Sequence, residues 1–596
     1  MTRTKHILAM VLAAGLTVLT GCTRDQIEQL GVIEDAVNRS AEKSFAENRV
    51  YQVEKKTVPL YVMDLEENNT STIDLCFMDS ETDIPYITVD TFAGLMVGLF
   101  GTQPGSKYEL YINKDGSKIT LSRESHYPMV IDCAEDTIEF WDYDAFMVKS
   151  EGENLMDLIM HPGIDDEGEP GLFQKSDTSF ERYGNAVTFR PGDYGIDLIF
   201  QDGEYYIPLQ VVSDVVLSQY ELCTLYNGEA AFVIDGTDVD SVANKYYIKD
   251  PPKERSEALA RFSYNELCFV LDALYGLKEQ HDINDFDTLF MEADLKNALL
   301  STDPQEVGQG LVDLTYVFLD DQHSGFIRSS YLMKENPKLR LGPSIIKGIA
   351  DGKRYSTARE KYYPDGPMGY EEVGNTAYIT FDQFIMNDID YYSEKAEDHQ
   401  DDTIGLMIYA FSQITRKDSP IENVVLDLSN NVGGESAAAA FVIGTFLGNG
   451  SVSVTNTLSG AMVTQNFKVD ANLDKSFDDN DSLHDYDLFC LTSPNSFSCG
   501  NLVPSVFKNS HRVTILGQTS GGGACNVQPL TTADGFVIQI SGASRLAYTK
   551  NGSFYDIDQG VDPDFILASP DMFYDREFLT GFINDDILRR NQMSQK

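Results

Sequence analysis

Apolar residues recur in three different patterns, and the changes between them divide the chain into regions. From Val58 to about Ile248, short apolar runs broken by turn residues predict strands. From Arg255 to Leu319, apolar residues at helical spacing predict a helical segment, which Pro251 and Pro252 separate from the strands. From about Asn375, strand-like runs alternate with helical patterns, which predicts an α/β core with a mainly parallel sheet and sites at strand ends.

The first region contains a weak internal repeat. Asp83–Val89, followed by an apolar segment to Leu99, parallels Tyr205–Val211, followed by an apolar segment to Leu217. The repeat predicts two related α+β modules, and it is similar to the copper amine oxidase N-terminal-type domain. Chance similarity of two strands that contain proline is the alternative explanation.

The core pattern predicts its elements in a regular order. Strands are expected at 376–381, 424–428, 488–491, 513–516, 537–541 and 545–548, and helices at 402–417 and 436–446. The predicted organisation is a signal peptide (1–21), a tether (22–57), α+β modules (58–150 and 151–250), a helical segment (255–330), a connecting segment (331–374), the α/β core (375–570) and a helical tail (571–596).

The first residues have the composition of a targeting segment. Arg3, Lys5 and His6 precede an apolar stretch, Ile7–Leu19, that is too short for an ordinary spanning helix. The stretch ends at Leu19-Thr20-Gly21-Cys22, which resembles the bacterial lipobox. The resemblance implies cleavage before Cys22 and acylation of Cys22. It therefore implies an exported lipoprotein of the cell envelope, anchored to a bacterial membrane and facing outside the cytoplasm. A plain secretory signal is the alternative.

The charge of the chain argues against two classes of partner, and the spacing of its cysteines argues against a metal site. The formal charge is −49, with 94 acidic against 45 basic residues, which argues against nucleic acid and against anionic membrane surfaces as partners. Seven cysteines follow Cys22, and no pair among them has metal-ligand spacing. We expect most of them to be buried free thiols, with room for one or two disulfides in an oxidising compartment. No cofactor or metal is predicted.

A strand, a sharp turn and a helix meet around Ser498. The apolar run Leu488–Leu491 ends at a turn cluster, Ser493–Ser496, and a helical pattern follows from Leu502. Ser498 lies where the helix begins, and free N–H groups there favour developing negative charge. The hydroxyl can act as a nucleophile if a base reaches it, and a plain N-cap is the alternative.

Four segments together resemble the tail-specific, or C-terminal-processing, serine peptidase family. Val425–Gly434 resembles its D-L-R-x-N-x-G-G signature, Asn495–Asn501 its nucleophile turn, Gly517–Gln528 its glycine loop, and Gly560–Asp564 its G-V-x-P-D segment. The order and spacing agree over about residues 255–570. The resemblance implies a crotonase/ClpP-like fold.

The resemblance also implies roles for individual residues. Ser498 corresponds to the nucleophile, and the N–H groups of Cys499 and of Gly433 or Gly434 would form the oxyanion hole. Many members of the family activate the serine with a lysine, but no lysine lies between Lys508 and Lys550.

The tricorn-like branch of the family instead uses a histidine in a motif like L-D-D-x-H. Leu319-Asp320-Asp321-Gln322-His323 resembles that motif, so His323 is the expected general base. Asp556 and Asp558 are both candidates for the acid that orients it, and Asp321 or Ser324 could assist. The Cys499 thiol is a minor alternative nucleophile.

The expected function is exported serine-type peptidase activity on peptide or unfolded protein substrates, through an acyl-enzyme at Ser498 with His323 as general base. The PDZ module of many relatives is not evident in Arg328–Glu371, which puts selectivity for carboxyl tails in doubt. The alternative is a catalytically inactive relative that acts as a surface-anchored peptide- or ligand-binding lipoprotein.

Overall fold

A computed structural model shows the protein over residues 49–62, 71–79, 81–100, 108–123, 127–147, 171–236, 246–247 and 250–587. The chain divides after Val53, and the residues from Glu54 onward form one unit. The predicted signal peptide and Cys22 lie outside the described residues. Among the residues described, none of the helices combines the length and the hydropathy needed to cross a membrane.

The strands are numbered in chain order. They are β1 (Val53–Val62), β2 (Ser71–Met78), β3 (Tyr86–Thr88), β4 (Leu110–Asp115), β5 (Lys118–Arg123), β6 (Tyr127–Asp132), β7 (Thr137–Phe140), β8 (Phe173–Arg182), β9 (Val187–Phe189), β10 (Ile199–Gln201), β11 (Glu204–Pro208), β12 (Leu222–Tyr226), β13 (Ala231–Asp235), β14 (Gly325–Arg328), β15 (Tyr370–Val373), β16 (Thr376–Thr380), β17 (Asn423–Asp427), β18 (Gly450–Asn456), β19 (Met462–Val469), β20 (Asp487–Thr492), β21 (Val513–Gly517), β22 (Cys525–Thr531), β23 (Val537–Lys550), β24 (Ser553–Tyr555) and β25 (Phe565–Ile566).

The α-helices are numbered in the same way. They are α1 (Val89–Phe100), α2 (Tyr143–Phe146), α3 (Leu209–Val215), α4 (Glu257–Leu274), α5 (Phe286–Glu292), α6 (Lys296–Leu299), α7 (Pro304–Asp313), α8 (Pro343–Glu360), α9 (Thr403–Ile414), α10 (Ser436–Leu447), α11 (Cys499–Ser510), α12 (Asp571–Tyr574) and α13 (Arg576–Phe582).

The two segments of the predicted repeat lie side by side in one sheet. Its strand order is β10-β11-β3-β2-β1-β13-β12, and β3 pairs antiparallel with β11, with Ile87 opposite Ile207. Each of these two strands leads directly into a helix, α1 or α3. A second sheet, β4-β5-β6-β7-β9, also joins strands from both predicted modules. The ranges 58–150 and 151–250 therefore interleave and do not form two separate bodies.

The segment predicted as helical holds α4 to α7, as expected, but the connecting segment contains an unpredicted helix. This is α8, which begins at Pro343, a favoured first helical residue. The Asp320 carboxylate accepts hydrogen bonds from the N–H groups of Ser344 at 2.7 Å and Ile345 at 3.0 Å. The α8 N-terminus is thus capped from a distant part of the chain, next to the His323 motif.

The core contains a six-stranded sheet, in the order β15-β16-β17-β20-β21-β25, whose strands from β16 onward are parallel. Alternate residues of β17 face opposite layers: Val424 and Leu426 pack with α9, α10 and α11, and Val425 packs with α8, α12 and α13. The prediction of an α/β core is confirmed. Because β17 and β20 are parallel neighbours, the loops after their carboxyl ends meet at one edge.

A buried ion pair holds the end of β17. Arg576 of α13 contacts Asp427 at 2.7 Å and Glu371 at 3.1 Å, and its guanidinium lies 4.4 Å from the centre of the Tyr378 ring. The other Asp427 oxygen accepts from the Ser429 N–H at 3.0 Å. The C-terminal tail therefore fixes the start of the loop that carries Gly433 and Gly434.

A second buried acidic contact joins the N-terminal sheet region to the core. Asp214 of α3 accepts from the Thr531 N–H at 3.1 Å and hydroxyl at 3.0 Å. Glu266 of α4 is fully buried beside Asp214, and the two carboxyl groups share a hydrogen bond. Burial raises the pKa of Glu266 well above its ordinary 4.5, and the neighbouring Asp214 raises it further.

This arrangement predicts that the protein loses stability as the pH rises. A carboxyl whose pKa is raised in the folded state keeps a proton that the unfolded chain releases above about pH 4.5, so the free energy of unfolding falls with rising pH. Glu266→Gln should reduce that fall between pH 5 and pH 8, by at most about 1.4 kcal/mol per pH unit for one proton. Urea unfolding at several pH values measures it.

The exposed Glu292, at the end of α5, provides the control. Glu292→Gln should leave the pH dependence of unfolding unchanged. Equal pH profiles for the parent and for Glu266→Gln would show that Glu266 is ionised in the folded protein and would contradict the prediction.

Candidate active site

The turn after β20 holds Ser498 in an uncommon backbone conformation. Ser498 has φ 55° and ψ −123°, a region that residues other than glycine rarely occupy and that clusters at functional sites. The turn is tied to the β17 loop, because the Ser496 hydroxyl donates to the Leu428 carbonyl at 2.8 Å and the Phe497 N–H donates to the Asn431 carbonyl at 3.0 Å.

The Ser498 hydroxyl does not cap the helix that follows. The Asn501 N–H donates to the Ser498 backbone carbonyl at 2.8 Å, and the side chain makes no capping bond to α11. Within the described part of the chain, the hydroxyl has no hydrogen-bond partner, and the side chain is half-buried. The geometry therefore disfavours the N-cap alternative.

Gly433 packs directly against Ser498. A Cβ at Gly433 would lie 2.5 Å from the Ser498 Cβ and 3.0 Å from its Oγ, and Gly433 has φ 103°, so only glycine suits this position. Its N–H donates to the Asn431 side-chain oxygen at 2.9 Å. By contrast, the N–H groups of Gly434 and of Cys499, the first residue of α11, have no hydrogen-bond acceptor among the described residues.

A second glycine loop supports Ser498 from another side. The Ser498 N–H donates to the Gly522 carbonyl at 2.9 Å, and Phe497 and Gly522 form a parallel bridge. The Gly523 N–H donates to the Asp558 carbonyl at 3.2 Å, and a Cβ at Gly522 would lie 1.8 Å from that oxygen. The loop predicted as Gly521–Gly523 thus connects the Ser498 turn to the Asp558 segment.

His323 lies beside this turn and is buried. His323 is 8 % exposed, and the centre of its ring lies 4.7 Å from the centre of the Phe497 ring. The Gln539 side chain donates to the His323 carbonyl at 2.7 Å. In the residues described, no hydrogen bond joins the His323 ring to Ser498, and the contact between the two segments runs through Phe497.

Asp321 shapes the loop that carries His323. Its carboxylate accepts from the N–H groups of His323 at 3.1 Å and Ser324 at 2.6 Å, and from the hydroxyls of Ser324 at 2.9 Å and Tyr275 at 2.8 Å. Both oxygens are therefore occupied by donors other than the His323 ring. Ser324 donates to the same carboxylate, so Asp321 and Ser324 together fix the conformation of this loop.

Burial lowers the pKa of His323 below 6.5, and the charges of Asp321 and Asp558 oppose that shift in part. A histidine with a lowered pKa is neutral at pH 7, and neutral imidazole is the form that accepts a proton.

The two candidate acids occupy different environments. Asp558 acts electrostatically on His323, and its Oδ1 accepts from the Ala524 N–H at 3.0 Å. Asp556 is exposed and contacts Arg545 at 2.7 Å, while it also accepts from the Asp558 N–H at 2.9 Å. Of these two acids, Asp558 is the one whose charge raises the pKa of His323, and Asp556 supports the turn.

The Cys499 thiol is poorly suited to be the nucleophile. Burial raises its pKa to about 12, and its Sγ donates to the Gly434 carbonyl at 3.1 Å. The seven cysteines that follow Cys22 are free thiols in the structure, and six of them are buried.

A cavity of about 980 Å³ opens beside the Ser498 turn. Its lining residues come from the Ser498 turn, the glycine loop Gly517–Gln528, the Asp558 segment, the His323 motif and the unpredicted helix α8. Among them are Phe497, Gly521, Asp558, Asp321, Lys347 and Asp351. Lys347 and Asp351 were not found from the sequence, although Pro343 and the spacing of the buried Tyr355 and Ala358 are signals of a helix there.

The α/β core is similar to a known protein family. Residues 375–567 match the family model described as Peptidase family S41. No curated protein matches the chain by sequence.

Three solved structures resemble the chain at low identity. The photosystem II D1 C-terminal processing protease is 20% identical, with 35% of this chain and 47% of that chain covered and a TM-score of 0.27. This chain thus spans about half of that protease. A lipoprotein from Streptococcus agalactiae is 13% identical (56% and 99% covered, TM-score 0.34). Mature CPAF is 11% identical (55% and 99% covered, TM-score 0.36).

The predicted fold class, α/β with a crotonase/ClpP-like peptidase core, is confirmed by the sheet and the family match together. The family match covers residues 375–567 and leaves the N-terminal sheets outside it.

Proposed function

We propose that the protein hydrolyses peptide bonds through an acyl-enzyme formed at Ser498. The observation that carries the proposal is the Ser498 hydroxyl, which has no partner among the described residues and lies at a strained turn beside two N–H groups without acceptors. The cavity of about 980 Å³ that Phe497 lines, one residue before Ser498, is large enough for several side chains of an extended peptide.

In the proposed first step, Ser498 Oγ attacks the substrate carbonyl carbon while the His323 ring takes the hydroxyl proton. The N–H groups of Gly434 and Cys499 donate to the oxyanion. Loss of one such donor typically costs about 3–4 kcal/mol of barrier. His323 then gives the proton to the leaving amine, and the C–N bond breaks. Water, deprotonated by His323, attacks the ester and releases Ser498.

His323 reaches Ser498 in this scheme when substrate is bound. Catalytic hydrogen bonds are often long in empty sites and shorten in the substrate complex. The ring already packs on Phe497, the residue before Ser498. Asp558 stabilises the imidazolium that forms, because its negative charge raises the pKa of His323.

The proposal extends to where the protein works. A lipobox-like Cys22 after a short apolar stretch supports export, lipid attachment and a position in the cell envelope. The substrates would then be extracytoplasmic peptides or unfolded proteins. The absence of lysine between Lys508 and Lys550 and the His323 motif support a site of the tricorn-like type.

Ser498→Ala should abolish covalent labelling by a fluorophosphonate probe, because the attacking oxygen is removed. Gel fluorescence or intact-mass analysis of the probe adduct measures this. Ser412→Ala, on an exposed position of α9, should label as the parent does. If the parent takes up no probe, the protein is a binding relative without this chemistry. If Ser498→Ala takes up as much probe as the parent, Ser498 is removed from the mechanism.

Gly433→Ala should lower kcat/KM for a peptide substrate by at least about 100-fold, because the added methyl group would overlap Ser498. The matched control is Gly552→Ala, which has a similarly positive φ of 75° but no atom within 4 Å of the added Cβ. The control separates backbone strain from displacement of Ser498. A similar loss in both variants would contradict the proposed contact.

The acid limb of the profile of kcat/KM against pH should have its midpoint below pH 6.5, since burial lowers the pKa of His323. Asp558→Asn should move the limb to still lower pH, because a charge that raises that pKa is lost. Asp556→Asn should leave the midpoint in place. Profiles of kcat/KM against pH give the midpoints, and an unmoved limb in Asp558→Asn would remove Asp558 from its role.

A further inference from the structure

The loop between β19 and β20 carries a run of acidic residues that the proposed peptidase mechanism does not use. Residues 470–481 read Asp-Ala-Asn-Leu-Asp-Lys-Ser-Phe-Asp-Asp-Asn-Asp. The loop connects the sheet that contains β18, β19 and β23 to the strand that leads into the Ser498 turn.

The spacing of oxygen-bearing side chains in this loop is that of a twelve-residue calcium loop. Such loops supply ligands from positions 1, 3, 5, 7, 9 and 12, with position 7 acting through its carbonyl. Here those positions are Asp470, Asn472, Asp474, Ser476, Asp478 and Asp481. Two departures are evident: Lys475 stands at the usual glycine, with φ 62°, and Asp481 stands at the usual glutamate.

The fold brings the key carboxylates of this loop together. One oxygen from each of Asp470, Asp474 and Asp481 lies within 4.8 Å of the others. Two oxygens that bind a calcium ion from opposite sides, each at about 2.4 Å, are about 4.8 Å apart. The three side chains are therefore close enough to share one ion.

The charge of this cluster is not balanced by the protein. Asp470 is fully buried and Asp481 is 2 % exposed. Within the described chain, neither carboxylate forms an ion pair with a lysine, arginine or histidine. Two buried like charges without a cation are costly, which indicates that a cation belongs between them.

The hydrogen bonds to the two buried carboxylates come from neutral donors in the described part of the chain. N–H groups of the loop and the Tyr392 hydroxyl, which donates to Asp470 at 2.8 Å, orient the carboxylates without neutralising them.

We propose that residues 470–481 bind one Ca²⁺ ion. All the side chains at ligand positions offer oxygen, which suits Ca²⁺, and none offers the nitrogen or sulfur that Zn²⁺ prefers. Ca²⁺ tolerates the irregular arrangement of a loop, whereas Mg²⁺ requires a near-ideal octahedron. No metal was predicted from the sequence, so this site is new.

The ion would stabilise the loop that connects the sheet containing β19 to the six-stranded sheet containing β20. The Asp470 N–H donates to the Leu172 carbonyl and the Leu483 N–H donates to the Thr445 carbonyl on α10, so both ends of the loop are attached to the core. Binding would therefore stabilise the folded state in proportion to the free Ca²⁺ concentration.

Isothermal titration calorimetry of the full-length protein with CaCl₂, after treatment with chelator, tests the proposal. We expect about one Ca²⁺ per chain, with a Kd at or below about 1 mM, tighter binding than with MgCl₂, and a higher Tm in Ca²⁺. No heat of binding and no Tm shift in 10-fold excess over that concentration would overturn the proposal, and equal affinity for Mg²⁺ would overturn the choice of ion.

Variants within the loop separate ligands from bystanders. Asp481→Asn and Asp474→Asn should each weaken Ca²⁺ binding by at least about tenfold, because each removes a charged ligand. Asp474 is exposed, so its replacement leaves the core intact even if Asp481→Asn folds poorly. The matched control is Asp479→Asn, at a non-ligand position of the same loop, which should bind as the parent does. Equal weakening in the control would show only general attraction to an acidic loop and would overturn the site.

Discussion

The close contact between the Ser498 turn and two glycine loops is the constraint on which the rest of the site depends. Gly433 leaves no room for a side chain beside Ser498, and Gly522 accepts the Ser498 N–H while it contacts the Asp558 carbonyl. The turn is held from both sides, so an unfavourable backbone conformation at Ser498 persists. The same contacts place the Gly434 and Cys499 N–H groups near the Ser498 hydroxyl, which makes no capping bond to α11.

These loops can meet because of the order of strands in the six-stranded sheet. β17 and β20 are parallel neighbours in register, with Leu426 opposite Cys490, so their carboxyl ends open at one edge. The Asp427–Arg576 pair then fixes where the β17 loop begins. A buried pair of this kind adds little net stability, but removal of either partner would leave a buried charge. The pair matters here because it fixes the position of the β17 loop from α13, the last α-helix described.

Agreement between sequence and structure is best where the hydrophobic pattern is strong. The strands at 424–428, 488–491 and 513–516 and the helix from Ser436 were all located within one residue or two, since each is an apolar run bounded by turn residues. The helix α8 was missed because its hydrophobic face is narrow and much of it is exposed. The strands predicted at 537–541 and 545–548 are one strand, β23, because its pairing with β22 continues on both sides of a register shift between Ser541 and Arg545. The interleaving of the N-terminal strands also went unseen, because the pairing of β3 with β11 joins segments far apart in the chain.

Local spacing of apolar residues is enough to predict the α/β class of the core. Short motifs that resemble those of the tail-specific peptidase family are enough to select the candidate groups, Ser498, His323, Gly433, Gly434, Asp556 and Asp558. The tertiary structure decided how those groups relate. It engages the Gly433 N–H with Asn431, separates the environments of Asp556 and Asp558, and buries His323 against Phe497. It also brings three carboxylates of one loop to a common point. Such distinctions arise from burial and from contacts between distant segments, and a linear pattern contains neither.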